Sequence, residues 1–297
     1  MATLKDIKTK IAAVKKTQQI TKAMNMVAAS KLRGAQESME GFRPYAGKFS
    51  EVLGSLAEKA GEETNPLLEA REEVERIHLV LCTSDKGLCG GFNSNLISKA
   101  EAFKKEKEAQ GIEVVFTNFG KKGRDGCRRK KFEIISEHVG VVGTRIGFNI
   151  AVSSGQKLIQ GFLDKTYDEV YIIYAEFVSM ARQTPVLKQM LPILPIKSAE
   201  KEAEREETSY LAEHICEPSP PELLGELLPK NVYVQLYSAL LETSTSEHAA
   251  RMAAMDNATK ACKDMIENLT LVYNKARQAA ITAELMDIVG GAEALKG

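Results

Sequence analysis

Residues 4–60 read LKDIKTKIAAVKKTQQITKAMNMVAASKLRGAQESMEGFRPYAGKFSEVLGSLAEKA, and their spacing decides the fold. Alternating steps of three and four from Leu4 land on Ile7, Ile11, Val14, Gln18, Thr21, Asn25, Ala28, Leu32 and Ala35. They continue through Met39, Phe42, Ala46, Phe49, Leu53 and Leu56 to Ala60. Fourteen of these seventeen residues are apolar, the mark of a coiled-coil seam on one long helix. At ~1.5 Å per residue that helix would run roughly 80 Å. Gly41, Pro44 and Gly47 weaken its propensity, but the seam keeps register past them, so a kink is expected rather than a break. Gln18, Thr21 and Asn25 are three consecutive polar seam positions beside an apolar off-seam set, Ile20, Ala23, Met24 and Val27. That stretch either faces a second partner outside the pair or marks a drift of register.

The other end of the chain repeats the pattern. Met255, Ala258, Cys262, Met265, Leu269, Val272, Ala276, Ala279, Ala283 and Met286 follow the same spacing, and all ten are apolar. Pro229 is positioned to open this helix and Gly290-Gly291 to close it. The seam weakens between Leu241 and Arg251, where Ser244 and His248 fall on it. Each large apolar side chain that a seam buries in a partner helix contributes ~1.5–3 kcal/mol, more than intrinsic propensity supplies. The two terminal helices are therefore expected to pair as an antiparallel coiled coil.

Between them the periodicity changes. Ile77–Cys82 is a short buried strand, followed by a glycine-rich loop at 83–93 and a helix from Asn95. Val114–Phe119, Phe132–Ile135 and Val170–Phe177 read as further strands, with a helix over 145–162. Strands alternating with helices imply an α/β sheet of mostly parallel strands, a Rossmann-like domain. The fold class is thus α/β plus coiled coil. The expected division is a helix over 1–62, a linker over 63–76, the α/β domain over 77–215 and the second long helix over 216–297.

Composition restricts function. Of 297 residues 44% are hydrophobic and 27% charged, enough apolar mass for a core. Forty basic side chains balance forty acidic ones, so net charge points to no nucleic-acid partner. The balance is segregated, however. Residues 1–48 hold ten Lys or Arg against three acids, and residues 199–226 hold nine Glu against two cations. Five irregularly spaced cysteines form no disulfide framework and suit a reducing compartment. No run of 18 apolar residues is present, and the basic N-terminus already carries the seam, so it is read as mature protein and not as a transit peptide.

Catalytic signals are missing. The loop DKGLCGG at 85–91 is neither a Walker A sequence nor G-x-G-x-x-G, and it reads as a tight turn before a helix. His78, His138, His214 and His248 are isolated, no serine sits in a nucleophile elbow, and Cys82 and Cys89 are too far apart for C-x-x-C. Seven cations within 121–131 lack the interleaved aromatics of a nucleic-acid module and read as a solvated helix end. No cofactor and no metal is expected.

Three segments carry a resemblance: IKTKIAAVKKTQQITKAMNMVAASKLR at 7–33, TSDKGLCGGFN at 83–93, and LVYNKARQAAITAELMDIVGGA at 271–292. In this order, and spanning nearly the whole chain, they resemble the γ subunit of F-type ATP synthases. That resemblance implies a non-catalytic rotor: a coiled coil inside a hexamer of α and β subunits, with its foot on a ring of c subunits beside ε. It implies one copy per complex, peripheral attachment to the membrane through that complex, and catalytic residues on β. It carries coupling contacts to β onto Lys22 and Met24 in TKAM, Arg277 and Gln278 in NKARQ, Arg251 in AARM and Glu284 in ITAE. It carries a c-ring contact onto Glu217, where His214, Ile215 and Cys216 stand in place of the family's frequent aromatics. The cysteine-bearing insertion of chloroplast γ subunits is not apparent. A bacterial protein on the cytoplasmic side of the inner membrane is the simplest expectation. From the residues alone, a coiled-coil tether or scaffold and a nucleotide-binding enzyme remain open.

Overall fold

The computed structural model describes residues 3–60, 65–143, 145–193 and 219–294. Two helices dominate, α1 (Leu4–Ala60) and α5 (Pro220–Ala294). The chain divides into two compact units, one of residues 1–29 with 251–297 and the other of residues 30–250, and the boundary falls inside both helices.

In the smaller unit, α1 opens with a reciprocal cap. Thr3 Oγ1 accepts the N–H of Asp6, and the Asp6 carboxylate accepts the N–H of Thr3, which holds that carboxyl below the usual range. Two polar contacts set the antiparallel register. Asn25 Nδ2 donates to Met252 O at 2.9 Å, and Thr21 and Thr259 hydroxyls lie 2.8 Å apart. Every described seam position from Leu4 to Leu56 is buried or half-buried, as the spacing requires. On α5 the buried stripe differs from the expected one. It follows Met255, Thr259, Cys262, Ile266, Leu269, Tyr273, Ala276 and Ala280, while Met265, Val272, Ala279 and Ala283 are exposed. The stripe keeps the seven-residue repeat of the expected seam at Met255, Cys262, Leu269 and Ala276, but its second position falls one residue later, at Thr259, Ile266, Tyr273 and Ala280. The alanines do not pin the register, and Ile266 and Tyr273 turn inward instead.

The helix ends also differ from the sequence signals. Pro220 and Pro221 stand at the first turn of α5, and Pro229 lies inside it. The helix passes through Gly290 and Gly291 to Ala294. Pro44 sits exposed within an unbroken α1, where burial of Met39, Leu53 and Leu56 outweighs its ~3 kcal/mol cost.

The larger unit holds β1 (Arg76–Cys82), α2 (Phe92–Ala109), β2 (Glu113–Phe119), α3 (Lys121–Arg129), β3 (Ile134–His138), α4 (Phe148–Leu163), β4 (Glu169–Phe177) and β5 (Gln183–Leu191). The sheet order is β3-β2-β1-β4-β5, with β1 to β4 parallel and β5 antiparallel to β4. β5 is absent from the sequence reading. It is an edge strand with Pro185 in its interior, a position that edges tolerate, and only its last two residues are buried. β1 alternates by face. Ile77, Leu79 and Leu81 pack with Leu96, Ala100 and Phe103 of α2, while Val80 and Cys82 pack with Leu158 and Phe162 of α4 and Leu236 and Leu240 of α5.

Two features of this sheet are testable. Gly120, at the β2–α3 turn, has φ +93°, and a Cβ there would stand 2.3 Å from Thr83 O. Gly120→Ala combines a disfavoured φ with a backbone collision and should destabilise the α/β unit by about 3 kcal/mol or more, read as a lowered urea midpoint. His78 is buried, bonded by Nε2 to Thr117 Oγ1 at 2.8 Å and edge-on to the Tyr167 ring. Burial, with Arg76 nearby, lowers its pKa to about 4 from 6.5. The folded state therefore binds fewer protons than the unfolded state between those values, so stability falls as pH drops through that window. His78→Gln should flatten the melting-temperature profile from pH 6.5 to 4 relative to the parent chain; unchanged slopes would exclude this histidine as their source.

Candidate functional site

The loop after β1 is built as a tie rather than a ligand cradle. Leu88 (φ 62°) and Gly90 (φ 59°) make the turn into α2, and Asn93 reaches back to accept the N–H of Ser84 at 3.0 Å. Asp85 Oδ1 accepts the N–H groups of Lys121 at the start of α3 (3.0 Å) and of Gly140 after β3 (2.9 Å). A carboxylate of the chain itself thus occupies donors that a phosphate would need. Three of the seven cations of 121–131 are ion-paired within the chain: Arg124 pairs with Asp125 and Glu137, Arg128 with Glu137, and Lys130 with Glu101. Cys82 and Cys127 are buried, which pushes the Cys127 thiol up to about 11 and Cys82 higher still, so neither is an activated thiolate.

The unusual surface lies on the smaller unit. Counting from the Asn25–Met252 and Thr21–Thr259 contacts places Leu4 opposite residues 273–276. α5 therefore continues past Ala280 with no partner from α1. Ile281, Leu285, Met286, Ile288 and Val289 are exposed there, Met286 at 68%. Nearer the register contacts, Ile20, Met26 and Val27 of α1 are each about 60% exposed. Lys5, Lys8, Lys10, Lys15, Lys16 and Lys22 are exposed on the same stretch, where Asp6 is the one acidic residue. The result is a basic surface with large apolar side chains distributed along both helices. Exposed apolar area of this extent marks a surface that a partner covers.

The candidate contact residues fall at separate levels. Lys22 is exposed and Met24 half-buried, close to the Asn25–Met252 level. Arg277 and Gln278 are exposed 25 residues beyond Met252, about 38 Å along the helix at ~1.5 Å per residue. Glu284 is exposed two turns further. Lys22 with Met24 and Arg277 with Gln278 thus form two stations, not one site. Arg251 is only 9% exposed and closes the buried polar run Thr243–Arg251, so it faces inward. Sequence reasoning missed that run as a buried element. Its polar residues resemble a solvated face, yet Ser246 Oγ donates to Ala175 O at 3.1 Å and Glu242 accepts the N–H of Phe177 at 3.1 Å. Glu217 lies outside the described residues. No cluster of metal-ligating side chains occurs among the described residues.

Comparisons with known proteins agree with one another. A family model described as ATP synthase matches residues 3–295. The ATP synthase gamma chain of Desulfosudis oleivorans is 67% identical, covering 100% of both chains, and that of Desulforapulum autotrophicum is 61% identical over 99% of this chain and 100% of the relative. Among solved structures, the central stalk and c-ring of Tetrahymena thermophila mitochondrial ATP synthase matches with TM-score 0.56 and 27% identity, over 80% of this chain and 99% of that one. A Euglena gracilis mitochondrial ATP synthase structure in rotational state 3 shares the fold at TM-score 0.65 and 20% identity, over 98% of this chain and 94% of that one.

Proposed function

The chain belongs to the ATP synthase γ-chain family, and on that premise we propose that it is the non-catalytic central shaft of a bacterial F-type ATP synthase. It turns inside a hexamer of α and β subunits and couples ion flow, expected to be of protons, through a c ring to ATP synthesis or hydrolysis on β. The supporting observation is the apolar, basic outer surface of paired helices whose seam is already satisfied, extended by an α5 end that outruns its partner. A coiled-coil tether needs only solvated residues off its seam, and Ile20, Met26, Ile281 and Ile288 are not that.

Coupling requires differential binding. A shaft orientation changes the nucleotide affinity of a β site only if it binds β conformations unequally. A tenfold change of affinity takes about 1.4 kcal/mol of such difference, the scale of one or two charge-assisted hydrogen bonds. In this reading Arg277 and Gln278 form one station, engaging acidic groups of a β loop. Lys22 and Met24 form the other, and Glu284 lies beyond the first. Arg251 acts from inside, by holding α5 in place. Glu217 remains the proposed c-ring contact, and ε the neighbour at the foot. No described helix is long and apolar enough to cross a membrane, so attachment would run through the ring, on the cytoplasmic side of the inner membrane.

The direct test is co-reconstitution with α and β subunits of the same source, scoring ATPase activity and one γ per hexamer on a sizing column; a chain that elutes alone beside inactive α and β removes the shaft reading. Arg277→Glu is expected to lower ATP synthesis by the reconstituted, membrane-attached complex about tenfold or more, which is ~1.4 kcal/mol. The melting temperature of the isolated chain should stay nearly constant, as for most surface substitutions. Unchanged synthesis would exclude Arg277 as a coupling contact. Met24→Lys places a charge beside β and should reduce the ions pumped per ATP hydrolysed, measured by vesicle acidification against ATPase rate.

A further inference from the structure

The larger unit contains an elongated groove of about 660 Å³ between α1, the loop before α4, and α5. It is open because α1 presents Gly34, Ala35, Ser38 and Gly41 along it, and a Cβ added at Gly34 or Gly41 would meet nothing within 4 Å. Its two ends differ in chemistry. Lys31 and His248 line one end, and Phe42 and Tyr237 line the other. On each helix those end residues are eleven positions apart, about 16 Å at ~1.5 Å per residue. Phe42 and Tyr237 meet edge to face with centroids 4.7 Å apart, making that end of the groove an aromatic corner.

The polar groups of the groove await a ligand. The Lys31 ammonium donates to Gly143 O at 3.3 Å, keeping it at the rim with donors to spare. Arg145 is exposed on the loop and has no ion-pair partner among the described residues. Ser244 is 3% exposed and lines the groove, where its hydroxyl can donate or accept. No acidic residue lines the groove. Glu247, next to the lining residue His248, pairs with His248 Nδ1 at 3.1 Å.

Two cations and a buried hydroxyl beside an aromatic corner, in a concavity of small-molecule size, match a ligand that is anionic at one end and planar at the other. We propose that this groove binds a nucleoside phosphate on the γ chain itself, its phosphates at Lys31 and Arg145 and its base against Phe42 and Tyr237. The site is separate from the stations for β, and the proposal does not rest on their assignment. Its geometry favours a small molecule over an acidic protein segment.

The test is calorimetric titration of the isolated full-length chain with ADP, inorganic phosphate and an oligoglutamate peptide at fixed ionic strength. ADP should bind with a sub-millimolar Kd, at least about tenfold tighter than phosphate. Lys31→Gln with Arg145→Gln should weaken ADP about tenfold or more, and Ser38→Leu, which fills the groove from an exposed helical position, should do the same. Melting temperatures of the double variant and of Ser38→Leu, measured in parallel, separate loss of the site from loss of the fold. The proposal is overturned if ADP fails to bind, if phosphate or oligoglutamate binds as tightly as ADP, or if folded variants retain the parent affinity.

Discussion

The packing of one helical seam against another is the interaction on which the rest depends. In the smaller unit α1 and α5 each bury one stripe, and Asn25–Met252 and Thr21–Thr259 fix which residue meets which. Polar contacts at a seam cost stability relative to apolar ones, but they are directional and satisfied in one register only. A shift by a turn would leave Asn25 and Thr21 buried without those partners, and an unmade buried hydrogen bond costs about 1–3 kcal/mol. The price of a weaker seam at 18–25 is thus exchanged for a defined alignment. For a rotor shaft, a defined alignment of its two helices matters more than the last increment of stability.

The α/β unit applies a similar logic to charge. Donors at loop ends, and Arg124 and Arg128 of α3, are met by carboxylates of the chain itself. Asp85 ties the starts of α3 and of the 140–147 loop to the end of β1, and Glu242 links the end of β4 to α5 while pairing with Arg43 of α1. Such internal satisfaction explains why a glycine-rich loop after a strand is no phosphate cradle here. What remains uncompensated stands out by contrast: the lysines and apolar side chains of the terminal helices, and the Lys31–Arg145 groove. The first suits a large protein partner and the second a small anion, because one is an extended convex surface and the other a concavity.

The inside and the outside of the paired helices differ in composition. In the smaller unit the seam holds α1 and α5 in one alignment, and the residues off it leave lysines and large apolar side chains exposed. Arg251 belongs with the inside although its residue type suggests the outside, since it is 9% exposed at the end of the run Thr243–Arg251.

The sequence by itself determined the seam of α1, the strands β1, β2 and β4, the strand–helix alternation that makes β1 to β4 parallel, and the family, because each of these is written locally in residue spacing or in specific motifs. The third strand was legible only in outline, as Phe132–Ile135 where the structure has Ile134–His138. Only the tertiary structure decided which residues of α5 face inward. Between neighbours one residue apart, Ile266 and Tyr273 turn inward in place of Met265 and Val272, and α1 runs out before Ala283 and Met286 can be covered. It also decided β5, whose proline and polar residues carry no strand signal until β4 offers an edge to pair with, and the ends of α5, where packing carries the helix past Pro229 and the helix runs on exposed through Gly290. Local spacing specifies which faces need covering; what covers them depends on residues far away in the chain, and only folding brings those together.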